Sequence, residues 1–306
     1  MFERLSTVPD AQELIDRAFR RGSKAVKAAG NDAAFVGTAG GVLATSLSSI
    51  VRRFPTFEEL PEFYYDLVDA VAGVDRLRVS LSRVGWASKQ IRRISRDYMR
   101  SPRGAEEMRS ALGRMASVLR SIDEDLVFLN EAAARLREIP GIDPSLPTII
   151  IAGYPNVGKS SFLAMVTRAR PKIASYPFTT QGLIVGHINR KDQKYQIVDT
   201  PGLLDRPLSE RNEIERQAIA AMRHLRGVVL FLIDPTGHCG YPLDAQLRLL
   251  EEIQTWLELP VVVAYNKSDI PSEHPTDGIR ISTLTGEGVP EVLDICMSMM
   301  SDESRL

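Results

Sequence analysis

The chain has 306 residues, of which 44% are hydrophobic and 25% charged, the proportions of a globular protein with about two domains. Its 38 Lys and Arg and 39 Asp and Glu give a formal net charge of −1, which excludes a protein that binds nucleic acid through bulk positive charge. The two cysteines, Cys239 and Cys296, are too few for a disulfide framework. They favour a reducing compartment, and we expect a cytoplasmic location.

Residues 1–138 have the apolar spacing of an all-α bundle domain, as at Phe63, Leu67 and Val71. A longer stripe, with apolar residues three and four positions apart, predicts one helix from about Ala105 to Glu138. Its members are Leu112, Met115, Leu119, Ile122, Leu126, Leu129, Ala133 and Leu136. We interpret the stripe as the seam of an intramolecular bundle, with a dimeric coiled coil as the alternative, and therefore expect a monomer.

The segment from Ala33 to Val51 carries no charge and is close to the length that spans a bilayer. It is rich in Gly, Ser and Thr and poor in Leu, Ile and Phe, which disfavours membrane insertion. A small-residue helix packed within the bundle is the preferred interpretation, and a membrane anchor is the alternative.

A linker is predicted at residues 139–147, because three prolines and a glycine cannot continue a helix. Beyond it, short apolar runs predict strands at 148–152, 183–188, 195–198, 228–233, 261–264 and 279–281. Helical segments are predicted at 212–224, 244–256 and 289–300. Continuous apolar strands separated by helices indicate a mainly parallel sheet covered on both faces, and the strands at 183–188 and 195–198 are expected to form an antiparallel hairpin at one edge.

The first strand of this region is followed by Gly153–Ser160, which fits the phosphate-loop pattern G-x-x-x-x-G-K-[ST] and precedes a predicted helix, as the pattern requires. The glycines allow close backbone approach, and the start of the helix supplies positive potential. Lys159 is expected to reach the β- and γ-phosphates, and the Ser160 hydroxyl to bind Mg²⁺. The backbone N–H groups predicted to face the phosphates are those of Asn156, Val157, Gly158, Lys159, Ser160 and Ser161.

Two further groups follow the predicted strand at 195–198. Asp199 can hold Mg²⁺, usually through water, and the N–H of Gly202 can sense a γ-phosphate. Both lie at the carboxyl end of a strand, where open α/β sheets bind their ligands.

Base recognition is predicted at Asn266–Asp269, which follows the strand at 261–264. The Asp269 carboxylate would accept hydrogen bonds from N1–H and the amino group of guanine, and adenine would leave it unpaired. Lys267 would lie along the base, and Asn266 would tie this loop to the phosphate loop. The backbone donors expected to reach the guanine oxygen are those of Ser282, Thr283 and Leu284. Together these segments predict an α/β P-loop GTPase domain at 148–306 that binds GTP and GDP.

The chain resembles the Obg-related GTPases, and among them the nucleolar GTP-binding protein 1 family with its archaeal short forms. The resemblance is carried by Gly153–Phe162, Tyr176–Thr180, Asn266–Asp269 and most specifically Asp199–Leu208. It extends into the helical domain at Phe63-Tyr64 and Ala111–Met115. In the Obg group a threonine 20 positions after the phosphate-loop serine binds Mg²⁺ and the γ-phosphate, which here is Thr180.

This resemblance implies an Mg²⁺-dependent GTPase that acts in assembly of the large ribosomal subunit. Its partners would be the subunit precursor, ribosomal RNA and ribosomal proteins. We assign the catalytic roles to Lys159, Thr180 and Gly202 on this basis. Leu203 stands where Ras-like GTPases carry the water-orienting Gln, so intrinsic turnover should be slow. Related GTPases that carry a hydrophobic residue in place of this Gln hold a potassium ion with the Asn of the phosphate loop. A potassium ion held by Asn156 is therefore a further hypothesis.

The near-neutral total charge hides a basic stretch in the helical domain. Residues 76–120 contain 12 basic and three acidic side chains, and Lys89, Arg92, Arg93, Arg96 and Arg100 fall on one helical stripe. We interpret this stripe as a surface for the phosphates of ribosomal RNA. The alternative functions are a GTPase anchored to a membrane through residues 33–51, and a signalling GTPase that binds protein partners through the apolar stripe.

Overall fold

The computed structural model describes residues 2–29, 32–100, 104–139, 141–167, 172–174, 183–190, 193–272, 274 and 278–302. The chain forms two compact units, Met1–Leu60 with Val71–Arg137 and Pro61–Ala70 with Glu138–Leu306. The predicted order is confirmed: the chain begins with helices and continues into a mostly parallel α/β sheet. Residues 61–70 group with the second unit, although the sequence assigned them to the first domain.

The first part of the chain is helical throughout its described residues apart from short connections. Its helices are α1 (Ala11–Ala29), α2 (Asp32–Arg53), α3 (Glu62–Ala72), α4 (Val74–Arg100), α5 (Ala105–Arg120) and α6 (Asp123–Leu136). Within the helical unit, α2 packs against α1 and α4, and α4 also contacts α5 and α6. The buried side chains between them include Leu14, Val36, Leu43, Leu47, Leu77, Ile91, Met115 and Leu126.

The uncharged segment at residues 33–51 lies in α2. Its apolar residues Val36, Leu43 and Leu47 are buried in the bundle, while Gly41 and Thr45 are exposed. By length and composition alone, the segment Ala33–Glu59 could cross a membrane. Within it, 39% of the apolar window that meets this criterion is buried in the structure. Core helices pass the same test, and the burial of this apolar face supports the bundle interpretation.

Small residues let α2 and α4 approach closely. A methyl group added at Gly40 would lie 2.6 Å from the Ser95 Cβ atom. Nearby, the Ser88 hydroxyl donates to the Ala44 carbonyl oxygen at 2.8 Å. The Gly and Ser content of these helices therefore serves interhelical packing.

The single helix expected from Ala105 to Glu138 is wrong, because the chain breaks between α5 and α6. Ile122 has φ −116° and ψ 10°, outside helical geometry. At the break the Ser121 carbonyl oxygen accepts a hydrogen bond from the Arg83 guanidinium at 2.8 Å, and the Asp123 carboxylate accepts from the Ala11 N–H at 2.8 Å. The apolar stripe runs through the break, and all of its members are buried except Leu112, which is half-buried. The spacing of the stripe therefore predicted correctly which residues are buried, but not where the helix ends.

The second unit is built on a seven-stranded sheet. Its strands are β1 (Thr148–Ala152), β2 (Lys172–Ala174), β3 (Leu183–Arg190), β4 (Gln193–Asp199), β5 (Gly227–Ile233), β6 (Val261–Tyr265) and β7 (Ile279–Arg280). The spatial order is β2-β3-β4-β1-β5-β6-β7. Strands β4, β1, β5, β6 and β7 pair in parallel, and β3 pairs with β4 in the predicted antiparallel hairpin. The edge strand β2 was not predicted, since three residues carry too little pattern.

Helices follow the strands of this sheet: α7 (Lys159–Val166), α8 (Glu213–Ala221), α9 (Leu243–Leu257) and α10 (Val289–Asp302). Asn212 caps α8 in a capping box with Glu215, in which each side chain accepts the other residue's N–H. Helix α3 contributes residues 62–70 to the unit. There the Tyr64 hydroxyl donates to the Ile142 carbonyl oxygen, and His224 lies 3.0 Å from the Asp66 carboxylate.

Candidate functional site

The phosphate loop lies between β1 and α7 and depends on two glycines with positive φ. Gly153 has φ +130° and Gly158 φ +108°, a region that side chains rarely adopt. A Cβ atom at Gly158 would lie 2.1 Å from the Asn266 amide nitrogen. Asn156 also has positive φ, +62°, and non-glycine residues in such conformations concentrate at functional sites. The loop is thus shaped for close approach of a ligand to backbone N–H groups.

Lys159 begins α7 and its side chain is buried. Its ammonium donates to the carbonyl oxygens of Gly153 and Tyr154 at 2.7 and 2.9 Å, which closes the phosphate loop on itself. Burial lowers the pKa of Lys159, while the Asp199 and Asp205 carboxylates oppose that shift. A phosphate oxygen would offer this cation a better partner than two neutral carbonyls do.

Ser160 and Asp199 meet at the foot of the phosphate loop, where the Ser160 hydroxyl donates to the carboxylate at 2.7 Å. Asp199 is fully buried, which raises its pKa, and the Ser160 hydrogen bond works against this. Its Oδ1 atom has no hydrogen-bond partner among the described residues. A buried carboxylate with a free oxygen beside a hydroxyl fits a hard cation such as Mg²⁺, which prefers oxygen ligands.

The segment after β4 holds Gly202 in a network of its own. The Gly202 N–H donates to the Asp205 carboxylate at 2.7 Å, and the Arg211 guanidinium donates both to the Gly202 carbonyl oxygen and to Asp205. Leu203, which follows Gly202, is fully buried. The sequence assigned no role to Asp205 or Arg211, although Asp205 lies within the run Asp199–Leu208 that carries the resemblance.

The base-recognition loop and the phosphate loop are joined through Asn266. Its amide nitrogen donates to the Val157 carbonyl oxygen at 2.6 Å and to the Thr283 hydroxyl at 3.0 Å, and its amide oxygen accepts from the Thr283 N–H at 2.9 Å. The side chain is 1% exposed. One buried amide therefore links three loops that lie far apart in the sequence.

Lys267 is fixed by Asp234, a partner that sequence reasoning missed. The ammonium lies 2.6 Å from the Asp234 carboxylate, which also accepts hydrogen bonds from the N–H groups of Thr236 and Cys239. Burial disfavours the charged carboxylate, but the Lys267 and Thr236 hydrogen bonds outweigh it and lower the pKa of Asp234. The available signal was its position, since Asp234 directly follows the fully buried strand β5 at the ligand-binding edge.

Asp269 accepts a hydrogen bond from the Ser282 hydroxyl, so the two predicted base-recognition segments lie side by side. The N–H groups of Ser282 and Thr283, expected to reach a guanine oxygen, instead donate to the Glu287 carbonyl and the Asn266 side chain. The Leu284 N–H makes a longer bond, 3.2 Å to the Ser282 hydroxyl, and the residue is 81% exposed. Of the three, Leu284 is the donor most available to a ligand.

The predicted Mg²⁺ and γ-phosphate ligand Thr180 lies outside the described residues, as does the whole segment 175–182. The remaining predicted nucleotide-site residues are described and sit at the carboxyl edge of the sheet, on the loops after β1, β4, β6 and β7. Asn156, Ser160 and Ser161 are exposed, whereas Val157 and Lys159 are buried. Of the described residues, no group of three or more His, Cys, Asp or Glu side chains forms a metal cluster.

In the helical unit, the predicted basic stripe lies along α4 and all five of its cations are exposed: Lys89, Arg92, Arg93, Arg96 and Arg100. Arg93 lies 3.9 Å from the Asp97 carboxylate, a weak exposed pair. The others form no ion pair with a described residue. Apart from the Arg93–Asp97 pair, this face therefore presents positive charge to solvent without an ion-pair partner in the part of the chain that the structure describes.

Comparisons with known proteins agree with this architecture. The family model "NOG1 N-terminal helical domain" matches residues 2–143, and that of nucleolar GTP-binding protein 1 matches residues 213–269. An uncharacterized protein of Methanocaldococcus jannaschii is 38% identical over 89% of this chain and 82% of its own length. The nucleolar GTP-binding protein 1 of Arabidopsis thaliana is 36% identical over 84% of this chain, which spans only 43% of that relative.

Among solved structures, the nucleolar GTP-binding protein 1 of Plasmodium falciparum is 36% identical over 55% of this chain and 92% of its own, with a TM-score of 0.49. The chain spans under half the length of the plant and nematode relatives. The two family models and the plant and nematode relatives agree on one assignment. The chain belongs to the nucleolar GTP-binding protein 1 family.

Proposed function

We propose that the chain binds GTP, hydrolyses it to GDP and phosphate, and acts in assembly of the large ribosomal subunit. The observation that carries the nucleotide proposal is the buried Asn266 amide, which bonds the phosphate loop at Val157 and the last loop at Thr283. A nucleotide must contact phosphate and base sites at once, and a shared buried anchor keeps their separation fixed.

Guanine specificity is assigned to Asp269, held by Ser282, with Lys267 positioned along the base by Asp234. The phosphates would be bound by the N–H groups of residues 156–161 and by the Lys159 ammonium. These donors belong to one loop and the start of α7, and the Lys159 ammonium would exchange its two carbonyl partners for phosphate oxygens.

Ser160, Thr180 and Asp199 would hold Mg²⁺, which when bound neutralises charge on the β- and γ-phosphates. The free Oδ1 atom of Asp199 supports this assignment. The catalytic roles proposed are electrostatic: Lys159 stabilises charge at the phosphates, and the N–H groups of Thr180 and Gly202 hold the γ-phosphate in place.

Turnover is proposed to be slow without a partner. The Leu203 side chain is apolar and fully buried, so it can neither orient nor polarise water. A potassium ion beside the exposed Asn156 is our hypothesis for part of the missing charge stabilisation. Equal turnover in potassium and sodium buffers would refute it.

The ribosomal role is proposed from two observations. Relatives carry the name nucleolar GTP-binding protein 1, and α4 presents five exposed cations on one face. Arginine and lysine on one helix face bind the phosphates of nucleic acid. We propose that residues 1–138 contact ribosomal RNA and proteins, that residues 148–306 form the GTPase domain after a linker at 139–147, and that the protein works as a cytoplasmic monomer.

The test is sedimentation of cell extract on a sucrose gradient with a non-hydrolysable GTP analogue or with GDP. We expect the protein to migrate with large-subunit particles in the analogue and less so in GDP. Migration with membranes would favour the anchored alternative, and migration with neither would favour a signalling GTPase. Direct titration of the purified chain with GTP, GDP and ATP tests the nucleotide part separately.

A further inference from the structure

The Gly202 N–H already has an anionic partner within its own loop. It donates to the Oδ2 atom of Asp205 at 2.7 Å, a hydrogen bond to a charged acceptor and therefore among the stronger ones. The same N–H is the group proposed above to hold a γ-phosphate. One N–H makes one strong hydrogen bond, so the carboxylate and the γ-phosphate compete for it.

The carboxylate is held in this place by Arg211. The Arg211 guanidinium is completely buried and donates to Asp205 Oδ1 at 3.1 Å, while Asp205 is only 14% exposed. The same guanidinium donates to the Gly202 carbonyl oxygen. Asp205 therefore binds the N–H of Gly202 and Arg211 binds its carbonyl oxygen. We call these three residues the Gly202 clamp.

The clamp is continuous with the rigid part of the unit. Leu203 and Leu204, inside the clamped turn, are fully buried or nearly so, and the Leu204 carbonyl oxygen accepts from the Gly153 N–H of the phosphate loop at 3.0 Å. On the other side, Arg211 directly precedes Asn212, the cap of α8. The position of Gly202 is thus set by this network and not by solvent.

We propose that Asp205 sets the preference of this site between GTP and GDP. Its carboxylate takes the γ-phosphate's place at the Gly202 N–H, so a triphosphate must displace it whereas a diphosphate need not. Two negative groups on one N–H also repel each other. The clamp therefore stabilises the diphosphate arrangement, and Arg211 keeps the displaced carboxylate within reach for return after hydrolysis. This inference rests on the proposed guanine-nucleotide binding.

The experiment compares the affinities of GDP and a non-hydrolysable GTP analogue by calorimetry at fixed Mg²⁺. In Asp205→Ala we expect analogue affinity to rise about tenfold and GDP affinity to stay within about twofold, the size of one charge-assisted hydrogen bond. Because this variant leaves a buried guanidinium unpaired, Asp205→Asn is measured beside it. The amide keeps an acceptor oxygen but loses the charge. The ratio of analogue affinity to GDP affinity in this variant should therefore lie between that of the unaltered chain and that of Asp205→Ala.

The matched control is Asp244→Ala, which removes an exposed carboxylate paired with Arg248 on α9 and should leave the ratio unchanged. An unchanged or lowered ratio in folded Asp205→Asn would overturn the role given to Asp205 while leaving GTP binding intact. If the unaltered chain bound neither nucleotide, the proposed function itself would fail and this inference with it. The two failures are therefore distinguishable in one set of titrations.

Discussion

The two candidate binding regions of this protein are built in opposite ways. In the second unit, which contains the sheet, Asn266, Asp234 and Asp199 are essentially buried and are bonded to other parts of the site. On the helical unit, the five cations of the α4 stripe, Lys89, Arg92, Arg93, Arg96 and Arg100, are exposed, and of these only Arg93 has an ion-pair partner among the described residues. The first region is organised by hydrogen bonds with fixed geometry, and the second presents charge on flexible side chains.

The difference teaches what each region can recognise. Buried polar groups with fixed partners discriminate between ligands, because a wrong ligand leaves one of them unpaired. Exposed cations attract any dense array of phosphates and lose affinity steeply as salt rises. We therefore expect specificity at the nucleotide site and salt-dependent attraction at α4.

The largest expected effect is at Asp269. Asp269→Asn should lower GTP affinity by about a hundredfold or more, because the amide oxygen can accept from N1–H but the amide NH2 group then faces the amino group of guanine, donor against donor. It should raise affinity for xanthosine triphosphate, which keeps the N1–H donor but presents a carbonyl acceptor in place of the guanine amino group. Titration of both nucleotides measures the exchange, with Asp294→Asn on the exposed face of α10 as control. Unchanged GTP affinity would disprove the base assignment.

The next effect concerns the α4 stripe. Reversing Arg92, Arg93 and Arg96 to Glu should weaken binding to ribosomal RNA by about tenfold to a hundredfold at moderate salt. It should also reduce the slope of the logarithm of the binding constant against the logarithm of the salt concentration by about two to three. Filter binding over a salt series measures both. GTP affinity should not change, since these side chains lie on the other unit.

The matched control reverses three ion-paired arginines of the second unit, the half-buried Arg190 and Arg216 and the exposed Arg248, which changes total charge equally. Exposed ion pairs of this kind contribute little to stability. If both triple variants lost RNA affinity equally, binding would follow total charge and the α4 face would have no special role.

A smaller effect is expected where the nucleotide site depends on Asp234. Asp234→Asn should lower GTP affinity about tenfold, because the Lys267 ammonium loses its charged partner. The folded protein lowers the pKa of Asp234, so this ion pair stabilises the fold above the ordinary aspartate pKa. Its contribution is lost as pH falls through the lowered value. Denaturation between pH 6 and 3 should show a weaker pH dependence in the variant than in the unaltered chain.

The strands β1 and β3 to β7 were predicted from their apolar runs. The phosphate loop, the base-recognition segments and the exposed face of α4 all follow from residue spacing. The break at Ile122 could not be found in this way, because the apolar stripe continues through it and the groups that bond at the break, Arg83 and Ala11, come from other helices. Tertiary contacts overrode the local period.

The Gly202 clamp and the Asp234–Lys267 pair were not predicted from the sequence, for a related reason. Asp234 and Lys267 are 33 positions apart, and Asp205 and Arg211 sit in a loop without periodicity. Their roles come from pairing in space, which a single sequence does not display. The buried site was therefore predicted by its motif residues and missed in its supporting contacts, whereas the exposed stripe needed no supporting contacts to be predicted.

The smallest effect tests whether the exposed charge also depends on a rigid frame. Gly40→Ala should destabilise the helical unit by about 1–3 kcal/mol, because the new methyl group would lie 2.6 Å from the Ser95 Cβ atom of α4. Gly41→Ala, one residue later on the same helix, meets nothing within 4 Å and should stabilise α2 by about 0.5–1 kcal/mol through helix propensity. Urea denaturation measures both. Changes of opposite sign in the free energy of unfolding would show that close packing against α2 holds α4 in position. Equal small changes in the two variants would mean that the basic face of α4 does not depend on this packing.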